Sequence, residues 1–185
     1  MGADGGIIIS LLINNIGRRD YTMAHQLTQK EQLLLEDQKK HEEVCIQKYQ
    51  DYATQVQDPQ LKELLNTYAQ QEQAHLNSVN EMLVGQVPSM GQGQQNQQQQ
   101  QQQQQFSPTT AANAQSGGAA NQQDAQLLND LLMTEKYVSS AYDTAIFEFT
   151  NPQMRQALNH IQKEEQQHGE GIFNYMNVHG MYNPQ

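Results

Sequence analysis

The chain has 185 residues, enough for a single domain of ordinary size. Its 10 Lys and Arg stand against 20 Asp and Glu, a net charge of -10 at pH 7 that repels a phosphate backbone, so nucleic acid is not an expected partner. Cys45 is the single cysteine, which excludes an intramolecular disulfide framework, a cysteine-ligated zinc site and a rubredoxin-type iron centre; any metal must be held by carboxylates and imidazoles.

Residues 1–26 form an N-terminal segment outside the helical pattern. Within it, Ile7 to Ile16 is an apolar run broken by Ser10, Asn14 and Asn15, and Arg18 and Arg19 follow it instead of preceding it. It therefore lacks the basic region of a signal peptide and falls short of the roughly 20 apolar residues that span a bilayer. Met23 leads straight into helical pattern and is the expected natural start, with residues 1–22 an over-extended reading of the start codon.

Residues 27–84 read as a helical hairpin, interrupted once at Asp58-Pro59, where Asp58 suits an N-cap and Pro59 the first helical position. Side chains three and four apart share a helix face. That spacing predicts an inward stripe of Leu35, Gln38, Glu42, Cys45, Tyr49, Tyr52 and Val56 on the first helix. On the second it predicts Leu61, Leu65, Tyr68, Glu72, His75, Val79 and Met82.

Residues 85–123 carry Gly91-Gln92-Gly93, an unbroken glutamine run from Gln97 to Gln105, Pro108 and Gly117-Gly118, with no apolar periodicity. Such a low-complexity stretch cannot bury enough surface to offset its ordering entropy, so a solvated crossover linker is expected, with a self-associating glutamine tract as the alternative.

Residues 124–177 form a second hairpin, broken at Asn151-Pro152, and 178–185 a C-terminal tail. The third helix presents Leu128, Leu131, Glu135, Val138, Tyr142, Ala145 and Phe149 inward, and the fourth Met154, Leu158, Ile161, Glu165, His168, Ile172 and Tyr175.

The second hairpin repeats the first at an offset of 93 residues: Glu42 recurs as Glu135, Tyr49 as Tyr142, Pro59 as Pro152, Leu65 as Leu158, Glu72 as Glu165 and His75 as His168. One shared offset implies two equivalent hairpins related by a pseudo-twofold axis. With the long crossover between them, the fold class is all-α, a ferritin-like antiparallel four-helix bundle.

Every repeated Glu and His lies in the middle of an apolar or aromatic stripe. Glu42 stands about 16 residues before the first turn and Glu72 about 13 after it, so at 1.5 Å per residue both lie roughly 20–24 Å from the turn, at one level. Four ionised carboxylates buried together repel one another and lose their hydration, and no Lys or Arg lies on the stripes to compensate. Two divalent metal ions balance four carboxylates, with one imidazole for each. Glu42, Glu72, His75, Glu135, Glu165 and His168 are therefore the candidate ligands, arranged as a Glu from each of two helices and a Glu-x-x-His from each of the others, the layout of di-iron and di-manganese carboxylate proteins. The alternative is a metal-free polar core.

Tyr49 and Tyr142, two turns from Glu42 and Glu135, are candidate hydrogen-bond donors or electron sources for that centre, with aromatic core filling as the other reading. Cys45 reads as a small buried hydrophobe. Glu43 and Glu164 point off the stripes and are expected in solvent, as are His25, His41, His160 and His179.

The stretch Leu27-Thr28-Gln29-Lys30-Glu31-Gln32-Leu33-Leu34-Leu35-Glu36-Asp37, with Ala69-Gln70-Gln71-Glu72-Gln73-Ala74-His75, resembles the Coat F family of spore coat proteins, more closely over 27–84 than over the second hairpin. By its ligand layout the chain is also similar to the rubrerythrin and bacterioferritin branch of the ferritin-like superfamily. That likeness implies that Glu42, Glu72, Glu135 and Glu165 are carboxylate ligands, some bridging, with His75 and His168 terminal on opposite metals. The sequence departs from rubrerythrin in lacking a Cys-x-x-Cys module, and from cage-forming ferritins in its glutamine-rich crossover.

The Coat F resemblance implies a protein made in the cytoplasm and assembled into the spore coat of an endospore-forming bacterium, packing with itself or with other coat proteins. The ligand set implies iron or manganese reacting with O₂ or peroxide, as a peroxidase, catalase or oxidase. A purely structural coat role and iron storage are the alternatives.

Overall fold

Four long helices begin where the sequence supplies a cap. A computed structural model describes residues 25–89 and 121–182; the expectations placed on 1–22 and on the glutamine run lie outside the described residues. Among the described residues the helices are α1 (Gln29–Gln55), α2 (Pro59–Leu83), α3 (Gln122–Glu148) and α4 (Pro152–Val178). Thr28 and Glu31 form a capping box at α1: Glu31 N–H donates to Thr28 Oγ1 at 3.2 Å and Thr28 N–H to Glu31 Oε2 at 2.8 Å. Asp58, Asn121 and Asn151 cap the other three, with Pro59 and Pro152 at the first helical positions. Beyond the ends of α2 and α4, Gly85 and Gly180 turn the chain at φ 75° and 66°, a region a Cβ disfavours.

Helices α1 and α2 pack along their length, as do α3 and α4; α1 also packs on α3, and α2 touches α4 less extensively. Cross-bundle contacts give the direction. Glu31 meets Thr150, Glu42 meets Tyr142, Tyr49 meets Glu135 and Tyr52 meets Asp130, so α1 and α3 are antiparallel. His75 meets Glu164, His168 meets Glu72 and Asp58 meets Tyr175, so α2 and α4 are antiparallel too. The end of α2 and the start of α3 therefore lie at opposite ends of the bundle, which is why this topology needs a long crossover.

The predicted stripes form the core. Leu35, Tyr49, Leu61, Leu65, Leu128, Tyr142, Leu158 and Ile172 are fully buried. Tyr52 and Tyr68 are only half-buried, and Ala53, Ala69, Ala157 and Met176 join the interior beside the expected residues.

Glu31 also ties the two hairpins together, because its Oε1 accepts from Thr150 N–H at 2.8 Å and from Thr150 Oγ1 at 3.0 Å at the α3–α4 turn. Glu31→Ala is expected to lower stability by about 2 kcal/mol, the sum of a lost cap and lost charge-assisted bonds. Urea unfolding of the metal-free protein measures this, and a loss below about 0.5 kcal/mol would contradict it.

Candidate metal centre

Glu42 on α1 and Glu135 on α3 face the Glu-x-x-His pairs of α2 and α4 at mid-height in the bundle. One ligand atom from each of Glu42, Glu72, His75 and Glu165 lies within 4.8 Å of the others, and the same holds for Glu72, Glu135, Glu165 and His168. Glu72 and Glu165 belong to both groups. None of the six is more than 2% exposed, so solvent compensates none of their charge.

Both imidazoles turn Nδ1 toward the carboxylates. His75 Nδ1 lies 2.9 Å from Glu165 Oε1, 3.4 Å from Glu72 Oε2 and 3.6 Å from Glu42 Oε2. His168 Nδ1 lies 2.9 Å from Glu72 Oε1 and 3.8 Å from Glu135 Oε2. The outer nitrogens are held from behind: His75 Nε2 meets Glu164 Oε2 at 2.9 Å, and His168 Nε2 meets Gln71 Oε1 at 3.0 Å. An acceptor behind each ring takes a hydrogen bond from a proton on Nε2, so Nδ1 is the nitrogen turned to the carboxylates, and a metal bound there would replace any proton it carries.

Protons answer the charge problem when nothing else does. Burial, opposed by His75, pushes the Glu42 carboxyl up to about 8; burial and the Glu72 charge push Glu165 up to about 8. Burial, with Glu165 beside it, raises Glu135 well above the usual carboxylate range. Burial acts on Glu72 in the same direction, but His168 and His75 outweigh it and hold that carboxyl low. For His75, burial disfavours the charged ring, yet Glu164, Glu165, Glu42 and Glu72 together raise it well above its ordinary value.

The donor set fits a pair of divalent cations on a separate ground. Glu42 Oε2, Glu72 Oε2, Glu135 Oε2 and Glu165 Oε2 are buried without a hydrogen bond, and His75 Nδ1 and Glu165 Oε1 meet only as an ion pair. Buried polar atoms are ordinarily satisfied, so this concentration of ligand atoms within 4.8 Å of one another is a set that a cation would satisfy. The ion pairs of Lys30, Lys39, Lys40 and Lys48 go elsewhere, to Glu148, Glu43, Asp37 and Asp130.

Tyr49 Oη donates to Glu135 Oε1 and Tyr142 Oη to Glu42 Oε1. Each tyrosine thus serves the carboxylate of the opposite half, not the glutamate on its own helix. Burial and then the carboxylates raise both phenols well above 10, so they stay neutral donors. Cys45 is buried and its thiol is pushed up by burial and by the carboxylates, in keeping with a neutral filler.

Some expectations are corrected. Glu164 is not in solvent: it is 7% exposed, bonded to His75 and 3.4 Å from His160 Nε2. Its neighbours across the α2–α4 contact bury it although it lies one residue off the stripe. His25, His41, His160 and His179 are half-buried; His41 packs edge-on against Tyr137, and His179 stacks on Tyr175. Glu43 is exposed as expected.

Gln71 and Tyr68 escaped the sequence reading as parts of the site. The Tyr68 ring lies 4.4 Å from that of His168, and its hydroxyl fills the space a Cβ at Gly171 would take. A glycine in a helix interior facing a tyrosine stripe was the available signal for Tyr68. For Gln71 it was the offset, since Gln71 and Glu164 are 93 apart and each precedes a repeated Glu.

Comparison with known proteins places the likeness on the second hairpin. Residues 123–185 match the Coat F domain family. A 63-residue stretch, 34% of the chain, is 33% identical to the uncharacterized protein YusN of Bacillus subtilis (strain 168), and spans 57% of that relative's length. No solved structure matches the chain. The expectation that 27–84 carries the stronger Coat F resemblance is thereby corrected: the family match falls on α3 and α4, whose Glu and Glu-x-x-His spacing duplicates that of the first half.

Proposed function

We propose that this chain is a spore coat protein of the Coat F kind that holds two iron or manganese ions between its hairpins and uses them to reduce peroxide. The coat assignment rests on the Coat F match over 123–185. The metal assignment rests on one observation above others: two Glu/His groups share Glu72 and Glu165, as a two-metal centre with bridging carboxylates requires. Glu42 and His75 would complete one metal's shell, and Glu135 and His168 the other's.

Bound there, two divalent ions would supply one electron each to hydrogen peroxide, which takes up two protons and leaves as two waters; an external reductant would return the two electrons. The chain's own residues do the rest. Tyr49 and Tyr142 hold one oxygen of Glu135 and of Glu42, leaving the other oxygen of each free to face the centre. Glu164 and Gln71 orient the imidazoles, and the burial of all six candidate ligands keeps bulk water from them.

Anaerobic loading with Fe(II) or Mn(II), followed by peroxide and O₂ consumption in separate runs, tests this. The expected result is about two ions per chain, by the ligand count of a two-metal site, with peroxide consumed in preference to O₂. Metal uptake with neither oxidant consumed overturns the enzyme reading and leaves a structural metal centre.

A second reading, a packing component of the coat, is favoured by Val44, Met133 and Tyr137, which are 51%, 63% and 64% exposed and line one shallow groove across the α1–α3 face.

A further inference from the structure

We infer that divalent metal ions reach this centre through the groove between α3 and α4 at Gly169, so that the second hairpin is the loading side of the bundle. The inference rests on the metal reading above. A groove of about 490 Å³ lies there, lined by Leu132, Ser139, Gln162 and Gly169 together with Glu135 and Glu165. Glu135 Oε2 and Glu165 Oε2 are buried without a hydrogen bond, so the groove runs up to the side chains that carry candidate cation ligands, whose oxygens lie sealed just beyond it.

Gly169 has no other evident reason to be glycine. It sits in the interior of α4, where glycine weakens a helix, and its φ is not positive. A Cβ there would meet Leu132 Cδ1 at 3.7 Å and Glu135 Cβ at 3.8 Å, ordinary contact that packing tolerates. Gly171 is different, because the Tyr68 hydroxyl occupies its Cβ position. What Gly169 provides is clearance over the groove.

The repeat sharpens the contrast. Gly169 and Ser139 correspond, 93 residues earlier, to Leu76 and Ile46, both half-buried aliphatic side chains. The first hairpin thus places bulk where the second leaves space. The passage is polar, lined by Ser139, Ser140, Gln162 and Gln166, and Asp143 offsets Lys136, so a cation meets no net positive charge on the way to Glu135 and Glu165. Gln162 spans it at the Asp143 end, its Nε2 donating to the Ser139 carbonyl at 3.1 Å and lying 3.4 Å from Asp143 Oδ1.

The test is the rate at which the metal-free full-length protein takes up cobalt(II), read by visible absorption in stopped flow, alongside the final cobalt content. Gly169→Leu, which copies the residue of the first half, is expected to slow uptake about tenfold or more while leaving the final content unchanged. The Tm of the metal-free variant should be equal or higher, because a helix former replaces glycine. Gly169→Ala fits in ordinary contact and should slow uptake less, which keeps the test open if the leucine variant folds poorly. Uptake at the wild-type rate by the folded variants overturns the inference while leaving the metal centre intact. No cobalt uptake by the wild type overturns the metal reading itself.

Discussion

Stripping the metal from the loaded protein is expected to lower its Tm by about 15–30 °C. The size follows from linkage: a ligand that binds only the folded state at about 1,000 times its Kd stabilises it by roughly 4 kcal/mol, and two such sites give about 8. In a chain of this size each kcal/mol moves Tm by roughly 2–4 °C. The physical source is the cluster itself. Without cations, Glu42, Glu135 and Glu165 keep their charge down only by holding protons against their ordinary affinity, and one buried oxygen of each, with one of Glu72, lacks a hydrogen bond. Cations would relieve both penalties in the folded state and in no other. Calorimetry of the loaded and the chelator-treated protein measures the shift; a difference under about 3 °C would mean that the cluster is a polar core held by protons, not a metal site.

Much of the fold was legible because its signals are local. Asp58-Pro59 and Asn151-Pro152 marked the two turns, and helical spacing picked out stripes whose members are buried apart from Tyr52 and Tyr68. Those two lean outward for reasons that lie on other helices: Tyr52 Oη reaches Asp130 Oδ2 at 2.6 Å, and Tyr68 lies over Gly171. The six candidate ligands were legible because each is a charged residue set in an apolar stripe and each recurs at one offset.

Partners across the bundle were not legible, since spacing measures distance along one helix and says nothing about which helix lies opposite. The pairing of Tyr49 with Glu135 and of Tyr142 with Glu42 depends on α1 lying antiparallel to α3. The burial of Glu164 depends likewise on α2 bringing His75 against it. The glycines of α4 were visible in the sequence, but their two roles, one making room for Tyr68 and one opening the groove, separate only when the neighbours are in place.

The shared carboxylates lead to the sharpest expectation for the ligands: Glu72→Ala or Glu165→Ala should lose both metals, whereas Glu42→Ala or Glu135→Ala should lose one. Glu72 and Glu165 stand in both ligand groups, while Glu42 and Glu135 each stand in one. Removing an outer hydrogen-bond partner of a metal ligand already costs about 10–100-fold in affinity, so removing a ligand itself should cost more than about 100-fold. For Glu42, Glu135 and Glu165 misfolding is not the expected cause, because each is a buried carboxyl that holds its proton against its ordinary affinity and its deletion eases the metal-free state; Glu72→Ala also removes the anion facing His75 and His168, and circular dichroism checks that it folds. Metal content after dialysis at low micromolar metal is the readout. Two ions retained by Glu165→Ala, or both lost by Glu42→Ala, would refute the shared arrangement. The two single-ion variants should also differ from each other. The ion left in Glu135→Ala rests on His75, whose outer nitrogen faces Glu164, a carboxyl that burial would raise but that His75 holds low and therefore anionic. The ion left in Glu42→Ala rests on His168, backed by the neutral amide of Gln71. An anionic partner makes an imidazole the stronger donor, so the first ion should be held about tenfold more tightly than the second.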